Sequence, residues 1–289
     1  MFKKLWRKLR PNPFDQMLKR AVAKGANKRA ESILIPWNRG LGDIPLGLYA
    51  MIHRIREYIP DADISFLTRK DLKDGFKMLR GITIIVDPKM KRNDPYLIPS
   101  HLKPDLLIDK ADPSYWVAWE RGQLVPKLEW NGEWDALPKR FNLPKQCIGA
   151  HVQCETNYYN ERNWPKHRWS DLIGSIHDSI LLFGLKKEPH FDFPHVIDLR
   201  GELSLYELLA IIKNHCRILI APDSGILGMT YYLNTDFPLK LISLWADPNH
   251  GILKQNVPSP NQLLQHLPVI SSNKKNAALI TAEEVRALC

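Results

Sequence analysis

Three short segments carry residue types at spacings that can do chemistry. The first is Asp223-Ser224-Gly225, which follows the strand-like run 217–221 and leads into Ile226-Leu227-Gly228-Met229. A strand that breaks at such a turn into a helix presents unpaired backbone N–H groups and the partial positive charge of a helix N-terminus. That combination suits a diphosphate. Ser224 adds a hydroxyl donor, and Gly225 lets the backbone approach a ligand closely. The same residues equally fit an ordinary helix cap.

The second segment is Asn38-Arg39-Gly40-Leu41-Gly42-Asp43, after the buried-type run Ser32-Ile33-Leu34-Ile35-Pro36-Trp37. Gly40 and Gly42 permit a tight strand-to-helix turn, which brings Arg39 and Asp43 to the start of the next helix. A carboxylate there can accept a proton from a hydroxyl as general base, or it can cap the helix. The glycines lack the spacing of a dinucleotide fingerprint, so NAD binding is not expected.

The third segment, Arg162-Asn163-Trp164-Pro165-Lys166-His167-Arg168-Trp169, is rich in cations. Arg162 and Lys166 are candidates to offset charge on a leaving diphosphate; a solvated basic loop is the alternative. Asp61-Ala62-Asp63 has the look of an Asp-x-Asp metal motif, but it sits in a proline-led turn and reads as solvent-facing. Glu133, Asp135 and the nearby tryptophans are weaker candidates to line an acceptor site. His53 and His151 read as structural or exposed rather than catalytic. No cofactor and no metal site is expected.

These segments need elements to position them. Strands are predicted at residues 32–37, 64–68, 82–87 and 106–109, with helices at 44–58 and 71–79 between them. Pro45 falls in a first helical turn, where it is tolerated. The stretch 113–143 is irregular and rich in Trp and Pro, and it reads as the end of a first domain plus a linker. Strands recur at 147–153, 180–183, 196–199, 217–221 and 239–245, interleaved with helices at 169–179, 204–214 and 225–233. Thr281-x-x-Glu284 starts a final helix with a capping box. Strands alternating with helices imply parallel sheets. The expectation is an α/β chain of two Rossmann-like domains, 1–143 and 144–289, with a cleft between them.

The 289 residues suffice for two cores. A net charge of +10 favours polyanionic partners. No nucleic-acid-binding module is recognisable, so nucleic acid is not the expected partner. Cys147, Cys154, Cys216 and Cys289 form no CxxC pair and read as reduced thiols of a cytoplasmic protein. No signal-peptide pattern and no apolar run long enough to span a bilayer is present. Phe2, Leu5, Trp6 and Leu9 alternate with Lys and Arg at helical spacing. This predicts a basic amphipathic helix over residues 1–10, either peripheral on an anionic inner-membrane surface or packed on its own domain.

Taken in order, the segments resemble the bacterial lipopolysaccharide heptosyltransferases, glycosyltransferase family 9. The resemblance rests on residues 38–44 and 58–68, then on Asn163-Trp164-Pro165 with Trp169. It continues through Asp198-Leu199-Arg200-Gly201, Leu203-Ser204-Leu205 and Ala221-Pro222-Asp223-Ser224-Gly225. It implies a GT-B fold and inverting, metal-independent transfer from an ADP-heptose donor to a lipid-linked core glycan. By motif position it implies that Asp43 is the general base and that Arg162 stands where the family has a lysine on the donor phosphates. Ser224, Gly225 and Ile226 fall in the pyrophosphate turn, and Leu203 lies near the adenine. The sequence departs from the family where a histidine is usual, at Gly228, and at Leu244-Trp245-Ala246-Asp247-Pro248 after the last predicted strand.

Overall fold

The computed structural model describes residues 12–23, 32–113, 124–154 and 160–289. The predicted helix over residues 1–10 lies outside them. The chain divides into two compact units, Met1–Leu124 and Val125–Cys289.

The first unit opens with α1 (Pro13–Ala23) and continues into β1 (Ser32–Trp37). A wide turn, Ile44–Leu48, leads into α2 (Tyr49–Tyr58). Then come β2 (Asp63–Thr68), the short α3 (Lys73–Phe76), β3 (Ile82–Val86) and β4 (Leu106–Leu107). The sheet runs β3-β2-β1-β4 with every pairing parallel. β1 is buried along nearly its whole length, as expected of a central parallel strand with both faces covered. Leu48, Met51 and Ile55 contribute to the buried core together with Ile33, Ile35, Ile64 and Phe66. The ring of Phe66 lies 4.7 Å from that of Phe76. A Cβ at Gly47 would stand 2.6 Å from the side chain of Pro113, so the helix start packs there through bare backbone.

β4 pairs with β1 only at Ile33 and Leu34, with one further bond from Ile108 N–H to the Leu34 carbonyl. Beyond that point the two strands no longer pair. The gap lies where the strand order reverses, the place where open α/β sheets bind ligands.

The second unit begins earlier than the sequence suggests. Residues 125–143, expected to close the first domain and link it to the next, belong to the second unit. β5 (Leu128–Glu129) pairs in parallel with β10 (Leu233–Asn234). A 3₁₀ stretch, Gly132–Phe141, is fastened to α5 (Leu205–His215). Trp134 stacks on Tyr206 at 3.9 Å, Arg140 pairs with Glu207 at 2.8 Å, and Lys213 pairs with Asp135 at 3.0 Å. This order comes from contacts with residues about seventy positions away, so local pattern does not announce it.

The main sheet of this unit contains β6 (Cys147–His151), β7 (Ile180–Phe183), β8 (Val196–Asp198), β9 (Cys216–Pro222), β11 (Leu239–Trp245) and β12 (Leu264–Ile270). Its spatial order is β12-β11-β9-β6-β7-β8, all parallel. Renumbered within the unit this is the doubly wound order, with its reversal between β6 and β9. Ile148, Ala150, Ile220 and Leu244 share one core with Trp164, Trp169 and Leu172 from α4 (Lys166–Gly174) and its entry. α8 (Ala282–Arg286) joins that core, and the Trp164 indole N–H donates to the Ile280 carbonyl at 2.9 Å. α4 starts three residues before the predicted 169, because Pro165 sits just outside the helix in extended conformation and the chain turns directly after it. Capping boxes at Ser204/Glu207 and Thr281/Glu284 set the starts of α5 and α8.

Arg200 is fully buried. It donates from Nε and Nη2 to the two oxygens of Asp198 at 2.8 and 2.6 Å, and from Nη1 to the Pro189 carbonyl at 2.9 Å. The Asp198-Leu199-Arg200-Gly201 motif therefore builds the turn after β8. No disulfide joins any of the four cysteines.

Candidate functional site

In the second unit, the strand-order reversal places the carboxyl ends of β6 and β9 side by side. β9 ends at Pro222, and Ser224 caps α6 (Gly225–Tyr231) by accepting from the Leu227 N–H at 3.2 Å. The capping reading therefore holds for Ser224. Asp223 does something else. Arg162, from the loop after β6, donates from Nη1 to the Asp223 carbonyl at 3.2 Å, and the same nitrogen lies 3.6 Å from its carboxylate. Burial pushes the Asp223 carboxyl up from its ordinary value, while Arg162 and His250 pull it down.

The loop after β11 completes this cluster with residues that no motif singled out. The His250 ring lies 3.3 Å from the Asp247 carboxylate, and backbone donation from Asn249 holds that carboxyl below its usual range. Gly251 begins α7 (Gly251–Gln255) at φ +48°. A Cβ there would come within 2.7 Å of Asp223 Oδ1 and 2.8 Å of the Trp245 ring. Only glycine satisfies both the dihedral and the space. The signal in the sequence was the unusual Ala246-Asp247-Pro248 after β11, which gave no hint of a contact with Asp223.

The other predicted donor-side residues are less engaged. Gly225 and Ile226 form the half-buried first turn of α6, Leu203 is half-buried ahead of the Ser204 cap, and Lys166 is exposed at the first position of α4. Among the described residues, no hydrogen bond or ion pair joins Lys166 or Leu203 to Arg162 and Asp223.

In the first unit the loop after β1 closes on itself. Asp43 accepts from the Gly40 N–H at 2.9 Å through Oδ2, and the Asp43 N–H returns a bond to the Gly40 carbonyl at 3.3 Å. Its side chain makes no capping bond to the helix that follows. The cap alternative therefore fails for Asp43, and the half-buried carboxylate is oriented by the glycine turn. Gly40 and Gly42 are half-buried, while Arg39 is exposed with its guanidinium 5.3 Å from the centre of the Trp37 ring.

Beside this loop, where β1 and β4 part, lies a cavity of about 680 Å³. Trp37 lines it from the end of β1, Asn38 and Arg39 from the loop that follows, Asp109 and Lys110 from the segment after β4, and Tyr96 from the intervening segment. The Asn38 amide bonds the carbonyls of Lys91 and Asp94 at 2.9 and 2.8 Å, which pins that segment to the strand end. Tyr96 donates to Asp109 at 2.7 Å, and burial followed by that bond pushes its hydroxyl up to about 12. The Trp37 indole nitrogen is buried without a hydrogen-bond partner among the described residues. Tyr96 and Asp109 carried no motif; only the end of a predicted strand at 109 pointed to the second.

Asp61 and Asp63 are exposed at the amino end of β2, the opposite end of the strand from these loops. Asp135 is engaged by Lys213 and Asn214. No group of three or more metal-ligating side chains occurs among the described residues.

The architecture has clear counterparts among solved structures. A glycosyl transferase family 9 protein from Veillonella parvula superposes with a TM-score of 0.59 at 15% identity, over 89% of this chain and 95% of the other. The chain has the fold of the family 9 glycosyltransferases. E. coli ADP-heptose lps heptosyltransferase II matches this family 9 fold with a TM-score of 0.59 at 14% identity, over 89% and 97% of the two chains. The iron-containing dodecameric glycosyltransferase TibC of enterotoxigenic E. coli matches at 0.59 and 14%, over 90% and 75%. No protein-family model and no curated protein matches the sequence. Within this family 9 fold, Asp43 and Arg162 each follow the first strand of their unit's main sheet. No helix among the described residues is long and apolar enough to cross a membrane.

Proposed function

We propose that the protein is an inverting, metal-independent glycosyltransferase of the GT-B class. It transfers heptose from ADP-heptose to a lipid-linked lipopolysaccharide core glycan. The observation that carries this reading is the Arg162–Asp223 contact at the strand-order reversal of the second unit, within a family 9 fold. It supports a diphosphate site at the loops after β6 and β9. Similarity to a structure described as an ADP-heptose lps heptosyltransferase supports the donor and acceptor class.

In this reading the Asp43 carboxylate takes the proton of an acceptor hydroxyl. The acceptor oxygen forms a bond to the anomeric carbon as the bond from that carbon to the diphosphate oxygen breaks, with inversion. Arg162, Lys166 and the backbone donors at Ser224, Gly225 and Ile226 offset the charge left on the nucleoside diphosphate. Leu203 packs near the adenine. Arg39, Gly40 and Gly42 shape the acceptor side, and the cavity at Trp37, Tyr96 and Asp109 receives the acceptor glycan. The reaction is cytoplasmic, and residues 2–10 hold the enzyme at the anionic face of the inner membrane.

The test is Asp43→Asn. It should lower turnover of ADP-heptose with a core-glycan acceptor by at least a thousandfold, while the thermal shift produced by ADP persists. Full activity in the variant would falsify the base assignment.

A second reading is favoured by Gly228. The position where the family commonly has a histidine is a buried glycine inside α6. A protein that binds the nucleotide without turnover would share the diphosphate site. Consumption of donor in the presence of acceptor excludes it.

A further inference from the structure

His151 is the last residue of β6. Ala150 pairs with Ile220 of β9, so His151 stands level with Ala221, two residues short of Asp223. Ile148, Ala150 and Val152 pack into the core shared with α4 and α8. Side chains alternate across a strand, so Gly149 and His151 face the other side of the sheet. Ile218 and Ile220 of β9, and Ile242 and Leu244 of β11, belong to that same core. By the same alternation Ala221, Ser243 and Trp245 share the His151 face. The Trp245 ring on this face reaches Gly251, whose Cα abuts the Asp223 carboxylate. His151 therefore shares the sheet face of the Asp223 cluster, at the strand end where that cluster lies.

The side chain there is in an unusual state. His151 is only 6% exposed, yet its Nδ1 has no hydrogen-bond partner among the described residues. Burying a polar atom without a partner costs stability, and native proteins keep such atoms rarely. Arg162 Nε, on the loop that follows β6, is likewise buried and without a partner among the described residues. An imidazole nitrogen at the end of β6 and a guanidinium N–H on the loop that follows it, both without partners among the described residues where the topology calls for a ligand, are groups that a ligand's acceptors can satisfy. His151, read from sequence as structural or exposed, is buried at the carboxyl end of β6.

We propose that His151 is a further ligand-binding residue of this site, its Nδ1–H donating a hydrogen bond to an oxygen of a bound nucleoside diphosphate. The inference rests on the diphosphate reading given above and adds a residue to it. Burial holds the imidazole neutral, with its proton affinity lowered to about 4. A neutral ring supplies one directed donor without adding charge between Arg162 and the ligand. The partner is a phosphate oxygen because a diphosphate offers only acceptors along its chain.

The test uses the full chain with ADP and adenosine as probes, in His151→Leu and His151→Asn. Leucine removes the donor, whereas the asparagine amide nitrogen falls near the position of Nδ1. In the Leu variant, ADP affinity should fall about tenfold or more, the scale of a lost hydrogen bond to a charged acceptor. Adenosine affinity should be unchanged. The Asn variant should bind ADP within about threefold of the parent on the same scale. Without ligand, the Leu variant should melt no lower than the parent, since Nδ1 has no bond to lose among the described residues.

Equal ADP binding by parent and Leu variant overturns the role of His151 and leaves the diphosphate site standing. Equal loss in both variants, with lowered melting temperatures, shows a structural residue and also overturns it. A parent that binds no ADP overturns the diphosphate site itself, and this inference with it.

Discussion

Arg162 donates to the backbone carbonyl of Asp223 at 3.2 Å and lies 3.6 Å from its carboxylate, joining loops 61 residues apart in the chain. One guanidinium thus links the turn after β6 to the turn after β9. The arginine is partly exposed, with a side-chain exposure of 20%, so one edge of its charge remains accessible. A forked guanidinium can hold Asp223 and a phosphate together, which the single point charge of a lysine does less well.

Replacing Arg162 by Ala should weaken ADP binding about tenfold or more, and Lys should restore part of it. Titration calorimetry measures both. Equal affinity in all three proteins would remove Arg162 from the site.

Gly251→Ala should distort the same cluster. The new Cβ would meet the Asp223 carboxylate and the Trp245 ring, at a dihedral that strains any residue but glycine. The expected loss is about 1–3 kcal/mol in urea unfolding, together with weaker ADP binding. A variant with parental stability and affinity would show that the loop after β11 accommodates a methyl group.

Asp198→Ala leaves the buried Arg200 guanidinium with the Pro189 carbonyl as its one hydrogen-bond acceptor among the described residues. Breaking a buried ion pair from one side is costly, on the order of 3 kcal/mol. Asp198 itself is about one-third exposed, which places the effect at the lower end of the range. Chemical denaturation reads it, and a change below about 1 kcal/mol would mean that the pair behaves as a surface contact.

Acid should destabilise the fold through two histidines. Burial lowers both His151 and His266 from 6.5 to about 4. Between those values the unfolded chain binds protons that the folded chain refuses, so stability is full above pH 6.5 and falls as pH drops towards 4. His266→Gln, which can keep the bond to Ser243, should flatten part of this slope in melting curves recorded from pH 7.5 to 4.5. An unchanged slope would mean that the His266 ring is protonated in the fold.

Deleting residues 2–10 should lower binding to anionic vesicles at low salt, since basic side chains beside a lipid surface each add about 1 kcal/mol. Sedimentation with vesicles containing phosphatidylglycerol is the readout. Unchanged sedimentation would assign that segment to another role.

Much of the chain was legible because its strands are written in buried apolar runs. Residues 32–37, 180–183 and 239–245 were placed to the residue, and the turns at Gly40–Asp43 and Asp223–Gly225 followed from the breaks after strands. The missed elements lacked such a local signature. β12 carries a proline and mixes exposed with half-buried residues, without strict alternation, at a sheet edge. The 3₁₀ stretch 132–141 draws its order from pairs such as Arg140–Glu207 and Trp134–Tyr206.

The sequence by itself determined that this is a parallel α/β chain, with Asp43, Arg162 and Asp223 at strand ends, because apolar periodicity and turn residues act over a few positions. Only the tertiary structure decided what those residues touch. Asp43 takes its orientation from Gly40 and makes no capping bond, whereas Ser224 does cap. Asp223 meets Arg162 and Gly251, and His151 is buried at the end of the neighbouring strand without a partner for Nδ1 among the described residues. These relations depend on which strands become neighbours, and strand order is set by long-range packing that no short stretch of sequence encodes.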